Sequence, residues 1–226
     1  IDFCDSPFYV NLQTRNWDTE KPRICGISAF GLSGTNCHII LEEYPEHKKT
    51  KLESAPLDIL AISAKSSYSL QKLISTYKNL IKENSNPINL IRCINSFRSY
   101  HPLRIAIIFK TIDEVVDILD KILNTPPSDW NKISNVYYSY ENIKYHIDKS
   151  LLENSINFFN RILCEHNRNI SLDLIETLNT IAKAYVTNIY IDWDKLYKNI
   201  PLEKVFIPPY PFVKNRLWLP EKKISL

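Results

Sequence analysis

The sequence predicts an α/β chain in two parts. A strand hairpin comes first, then a small α+β subdomain of about three strands packed by helices, closed by an extended proline- and aromatic-rich strap. Three observations carry this. All three glycines, Gly26, Gly31 and Gly34, fall in one stretch, ICGISAFGLSGTNCHIILEE, between two apolar runs. Apolar residues recur at helical spacing in several later segments. The tail VFIPPYPFVKNRLWLP packs four prolines and four aromatics into sixteen residues, which forbids helix and favours an extended path.

Composition narrows the function classes. The chain has 226 residues, 44% of them hydrophobic, enough for a real core. The net charge of +3 comes from interspersed acids and bases, not the basic stripe of a nucleic-acid surface. The longest cationic cluster, residues 47–51, keeps a connection solvated. No apolar run approaches the ~20 residues of a membrane span, and no signal segment opens the chain. Five cysteines without a CxxC pair argue against a disulfide framework or a zinc site and for reduced thiols in a cytoplasm. The absence of methionine marks Ile1 as an unnatural start, so the chain reads as an internal or processed piece.

Residues 24–30 and 37–41 flank the glycine loop as hairpin strands. Both are apolar on both faces and are expected to be buried. The polar run 45–56 is a connection between residues 1–44 and a subdomain over 57–200, with the strap over 201–226. LDILAIS reads as a strand, and the helix from about Ser66 turns Leu70, Leu73, Ile74, Tyr77 and Ile81 to one side. A weaker helix covers 90–97, and LRIAIIFK is the next strand. Thr111 and Glu114 form a capping box for a helix burying Val115, Ile118, Leu119 and Ile122. TPPSDW breaks the chain before ISNVYYSY, a third strand by alternation. Leu152, Ile156, Phe159 and Leu163 line one further helix. Leu174, Ile175, Leu178, Ile181, Ala182 and Tyr185 line another, which Ser171 caps. The strap aromatics need a surface to lie on; Tyr210, Phe212, Arg216 and Trp218 are its expected docking residues, with Trp193 a further anchor or a core residue.

Most chemistry tried on the glycine loop fails. Gly26-x4-Gly31 has phosphate-loop spacing, but Leu32 stands where the lysine belongs. GLSGT approaches a nucleophile elbow around Ser33, yet Thr35 replaces the last small residue. Cys37 and His38 are adjacent strand residues and point to opposite faces. What remains is a tight loop able to press bare amides against another group, tied to itself by Thr35 and Asn36.

RICGISAFGLSGTNCHIILEE resembles the C-terminal signature of ketosynthase domains of modular polyketide synthases, and IDFCDSPFYVNLQTRNW resembles the segment before it. LDILAISAKSSYSLQKLI, RIAIIFKTIDEVVDIL, YIDWDKLY and IPPYPFVKNRLWLP look like the linker that follows such domains. The resemblance implies a thiolase-like hairpin and a flanking subdomain. It is similar to synthases whose acyltransferase is a separate protein, since 123–190 is too short to hold one. In that family a cysteine and two histidines catalyse decarboxylative condensation; none of their motifs occurs here, so the chain is expected to be inactive alone and to hold no catalytic residue. Residues Phe30, Gly31, Leu32, Ser33, Gly34, Thr35 and Asn36 would form the oxyanion and gating loop, with the Leu32 amide as donor and its side chain a weaker gate than the phenylalanine common there. The implied partners are the remainder of the ketosynthase, an acyl carrier protein presenting 4′-phosphopantetheine, a separate acyltransferase, and a second copy through the full ketosynthase. No bound cofactor, metal, nucleic acid or membrane is expected. Two other readings are a docking module for carrier protein or acyltransferase, and a hydrolase using Ser33 or Cys37.

Overall fold

The structure is a computed structural model that describes residues 3–44, 55–139, 145–165 and 169–215. The chain forms two compact units, residues 1–49 and 50–226.

The first unit is built on one antiparallel hairpin, β1 (Ile24–Ala29) and β2 (Cys37–Glu42). Its pairing runs from Ile24 opposite Glu42 to Ala29 opposite Cys37 and leaves residues 30–36 as the loop. The expected burial is not found. Ile27 is 52% and Ile40 69% exposed, because the described residues of this unit form no helix or second sheet to cover them.

The second unit is a three-layer sandwich. Strands β3 (Asp58–Ala64), β4 (Leu103–Phe109) and β5 (Val136–Tyr138) form an antiparallel sheet in that order. Side chains alternate across a strand, so each strand feeds two cores. Leu60, Ile62, Ile105 and Ile107 meet α1 (Ser67–Glu83), α2 (Pro87–Ser96) and α3 (Ile112–Leu123). Ile59, Ala61, Ala106 and Ile108 meet α4 (Lys149–Glu165), α5 (Leu172–Val186) and α6 (Trp193–Leu196). The apolar positions read from periodicity on α1, α3 and α4 are buried. On α5 Ile175 is the exception at 39% exposed, since it lies at the edge of the stripe formed by Leu174, Leu178 and Ile181.

Helix starts follow their caps. Ser66 accepts from the Ser69 amide at 3.2 Å, Ser171 from the Leu174 amide at 3.1 Å, and Thr111 from the Glu114 amide at 3.2 Å. The Glu114 carboxylate accepts from the amide of Lys110, one residue before the cap, not from Thr111 itself. TPPSDW does not simply break the chain: Pro127–Lys132 is a 3-10 turn that buries Trp130, whose indole donates to the carbonyls of Ile122 and Thr125 at 3.0 and 2.9 Å.

Asn95 of α2 lies along the outer edge of β3, accepting from the Ala61 amide at 2.8 Å and donating to the Ile59 carbonyl at 2.9 Å. Asn131 treats β5 alike, accepting from the Tyr138 amide at 2.7 Å and donating to its carbonyl at 3.2 Å. Asparagine also replaces glycine at left-handed backbone positions: Asn135, Asn188 and Asn199 have φ of 64, 66 and 68°. At the end of α5, Asn188 donates to Tyr185 at 3.2 Å and Ile189 to Ala184 at 3.0 Å, the paired bonds of a Schellman terminus.

Candidate functional site

The hairpin register sorts its side chains. Cys25, Ile27, Ala29, Cys37, Ile39 and Leu41 share one wholly apolar face. The other face carries Ile24, Gly26, Ser28, His38, Ile40 and Glu42. Cys37 and His38 therefore do point apart. His38 finds a partner instead across the ladder: its Nδ1 lies 2.8 Å from the Ser28 hydroxyl. A Cβ on Gly26 would come within 3.1 Å of the His38 ring, so this glycine makes room for the imidazole. Ser28 and His38 form a hydroxyl–imidazole pair. Among the described residues no carboxylate hydrogen-bonds the second ring nitrogen, the support a nucleophile's base needs.

The loop itself is closely determined. The Gly31 amide donates to Asn36 Oδ1 at 3.3 Å. A Cβ on Gly31 would sit 2.0 Å from the Thr35 hydroxyl, which admits no other residue without movement. Gly34 has φ of +79°, open to glycine and strained for a side chain. Phe30 and Leu32 project into solvent, Leu32 fully. At the hairpin's foot, Glu43 accepts from the Arg23 amide at 3.0 Å and pairs with its guanidinium, while the Glu43 amide donates to the Arg23 carbonyl at 2.7 Å. The guanidinium hydrogen bond holds the Glu43 carboxyl at about 2, against an ordinary 4.5. The tip is thus fixed by Asn36 and the foot by Glu43.

The strap lies on the second unit. Asn89 donates to the Glu203 carbonyl at 2.8 Å and accepts from its amide at 2.9 Å; Arg98 donates to the Pro208 carbonyl. The Tyr210 hydroxyl accepts from the Lys65 amide at 2.8 Å, and Ser69 donates to the Pro211 carbonyl at 2.8 Å. Backbone groups that proline-rich chain cannot pair internally are met by side chains of α1 and α2. Val205, Ile207 and Tyr210 pack on the core, but Phe212 is 71% exposed and Phe206 also projects outward, so Phe212 is not docked. Its ring instead meets that of Tyr210 edge-on, 5.0 Å between centroids. Arg216 and Trp218 lie outside the described residues. Trp193 is a core residue, stacked on Tyr197 and edge-on to Tyr185.

Cysteine chemistry is not prepared here. Buried Cys93 donates to the Glu203 carbonyl at 3.2 Å, and burial pushes its thiol up to about 11. Among the described residues no group of His, Cys, Asp and Glu is arranged to hold a metal ion. No helix among them is long and apolar enough to cross a membrane.

Sequence reasoning missed the Ser28–His38 contact, although fixing the hairpin register from its symmetric loop pairs those positions. It also missed the ion pair of Arg92 with Asp58, 2.9 Å long and buried at both ends, since nothing local joins residues 34 apart.

Residues 1–108 match the family described as ketoacyl-synthetase C-terminal extension. Polyketide synthase PksL of Bacillus subtilis is 28% identical over 233 residues, 99% of this chain and 5% of that protein. Trichosetin synthetase of Gibberella fujikuroi is 35% identical over 128 residues, 52% of this chain and 3% of that protein. Among solved structures, the ketosynthase from module 6 of the bacillaene synthase of Bacillus subtilis superposes with a TM-score of 0.60 at 24% identity, covering 97% of this chain and 36% of that one. The chain spans about a twentieth of the length of curated relatives such as PksL. With the signature hairpin, the helix-flanked sheet and the strap all present in order, residues 1–108 match a ketoacyl-synthetase C-terminal extension and the chain over nearly its whole length is similar to the C-terminal region of a polyketide-synthase ketosynthase.

Proposed function

We propose that the hairpin completes a ketosynthase active site, and that the second unit is the flanking subdomain of a synthase whose acyltransferase is a separate protein. One observation carries this reading: an apolar hairpin left uncovered, with a loop at its tip held rigid by Gly31, Gly34 and Asn36. Such a hairpin finds its burial against the rest of a condensing domain. The loop then faces the thiol that accepts the acyl chain. Thiolate attack on a carrier-bound thioester places negative charge on the carbonyl oxygen, and the Leu32 amide donates to it. One preorganised donor of this kind contributes about 2.7–4 kcal/mol to the transition state. The extender then loses carbon dioxide and its carbanion attacks the enzyme-bound acyl group, with both substrates delivered on 4′-phosphopantetheine arms of a carrier protein. The nucleophilic cysteine and two histidines of that chemistry belong to polypeptide outside these 226 residues, so this chain does not condense alone. The parent ketosynthase would act as a homodimer.

A second reading is favoured by Phe206 and Phe212, two exposed rings on an otherwise well-anchored strap. They give a carrier protein or the separate acyltransferase an apolar contact.

The test uses the complete ketosynthase. Leu32→Pro removes the amide hydrogen and should lower the acylation rate by about 10²–10³, whereas Leu32→Ala keeps it and should acylate normally. Parental acylation by the proline variant, or condensation by the 226-residue chain alone, overturns the first reading.

A further inference from the structure

A cavity of about 90 Å³ opens within the second unit between β3, the C-terminal end of α2, Tyr185 of α5 and the strap. Its polar wall is formed by Tyr77, Arg98, Ser99, His101, Tyr185 and Tyr210, and no carboxylate lines it. We propose that this cavity is a binding site for a small oxyanion of phosphate size.

The hydrogen-bond inventory points that way. The Nε of Arg98 is buried with no partner among the described residues, while the end of the same guanidinium is spent on the Pro208 carbonyl. The Tyr210 hydroxyl accepts from the Lys65 amide, which leaves its own proton to give. Asn95, the one amide on the wall, has its oxygen occupied by the Ala61 amide. The Tyr77 hydroxyl also meets the Arg98 guanidinium, yet the Nε of Arg98 still lacks an acceptor among the described residues. An unmet buried donor costs about 1–3 kcal/mol, and an ion that accepts from several at once removes that cost.

The charge inventory agrees. Arg98 and His101 line the space, Lys65 and Arg104 stand behind them, and among the described residues no carboxylate pairs with them. Arg104 is held by the carbonyls of His101, Tyr185 and Ile189, at 2.9, 3.1 and 3.2 Å, and by the faces of Tyr100 and Tyr185. Burial first, then the charges of Lys65 and Arg104, lower the proton affinity of His101. The same fold shows what it does with an arginine of purely structural use: Arg92 receives Asp58. Among the described residues Arg98 receives no carboxylate, only the Pro208 carbonyl and the Tyr77 hydroxyl. Water can fill the cavity and meet its donors, but it does not balance the charge. The volume admits a tetrahedral ion and excludes a nucleotide. Because Pro208 and Tyr210 belong to the strap, an ion seated here also fastens the strap to the subdomain.

The test is calorimetric titration of the full chain with inorganic phosphate at constant ionic strength, with sodium chloride and acetate as comparison titrants. Saturable binding of phosphate at one site, absent for chloride, is expected. Arg98→Gln should abolish it. Arg98→Lys, which keeps the charge and the reach to Pro208 but lacks the second nitrogen, should weaken it about tenfold, and Tyr210→Phe by a similar factor. The two milder variants keep the test decisive if Arg98→Gln does not fold. Heat from phosphate no different from that of chloride or acetate, or phosphate affinity unchanged in Arg98→Lys and Tyr210→Phe, overturns the proposal and leaves a cavity filled by water.

Discussion

Strands β1 and β3 are the same kind of sequence, ICGISA and DILAISA, each paired antiparallel to a second apolar strand. One is solvent-exposed along its length, the other buried on both faces. The difference lies in what the chain supplies around them. β3 receives α1 and α2 on one side and α5 and α6 on the other, whereas β1 receives only β2. Burial is thus decided by neighbours and not by the strand's own composition. A strand apolar on both faces is a request for two layers, and only the second unit meets that request from its own sequence.

The largest test of the contrast is polar. Asp58 and Arg92 are desolvated together beneath β3 and α2, so Asp58→Ala takes the carboxylate away from a buried guanidinium. It should cost about 3–5 kcal/mol in urea unfolding of the second unit. Next come matched truncations. Ile107→Ala, at a fully buried position, should cost about 2–5 kcal/mol. Ile39→Ala, half exposed in the hairpin, should change stability by no more than about 0.5 kcal/mol. Equal losses at both sites would erase the distinction between the strands. In the complete ketosynthase, Ile39→Ala should become as costly as Ile107→Ala, which sharpens it.

Smaller effects probe the hairpin's own restraints. Gly34→Ala forces a side chain into φ of +79° and should open the tip by about 1–2 kcal/mol, read as faster amide exchange in β1 and β2. Acid should act at the foot. The folded carboxyl of Glu43, at about 2, lies below its ordinary 4.5, so the Arg23 clasp contributes fully above about 4.5. It is lost as pH falls towards about 2, and the amide of Arg23 should follow that titration in NMR spectra. A midpoint near 4.5 would show that the clasp does not form in solution.

Local rules carried the sequence reading far. Leu70, Leu73, Ile74, Tyr77 and Ile81 announce α1 because helix burial is periodic, and Ser66, Thr111 and Ser171 announce three helix starts because a cap bonds within three residues. Gly31, Gly34 and Asn36 were readable as a rigid loop for the same reason. What escaped was non-local. Asp58 meets Arg92 only once α2 folds back on β3, and Trp130 becomes the lid of a core only because a 3-10 turn begins at Pro127. The reading also assumed that apolar strands are buried, which Ile27 and Ile39 contradict within this chain. The orphaned Arg98 nitrogen has no sequence signature at all.

Asn95 and Asn131 finally bear on life in a crowded assembly. Relatives such as PksL are far longer than this chain. With an asparagine amide occupying one backbone amide and one carbonyl on each flank, the three-stranded sheet offers an added strand a poorer foothold. A second copy of this sheet therefore meets fewer open backbone groups along either edge. The safeguard amounts to two side chains.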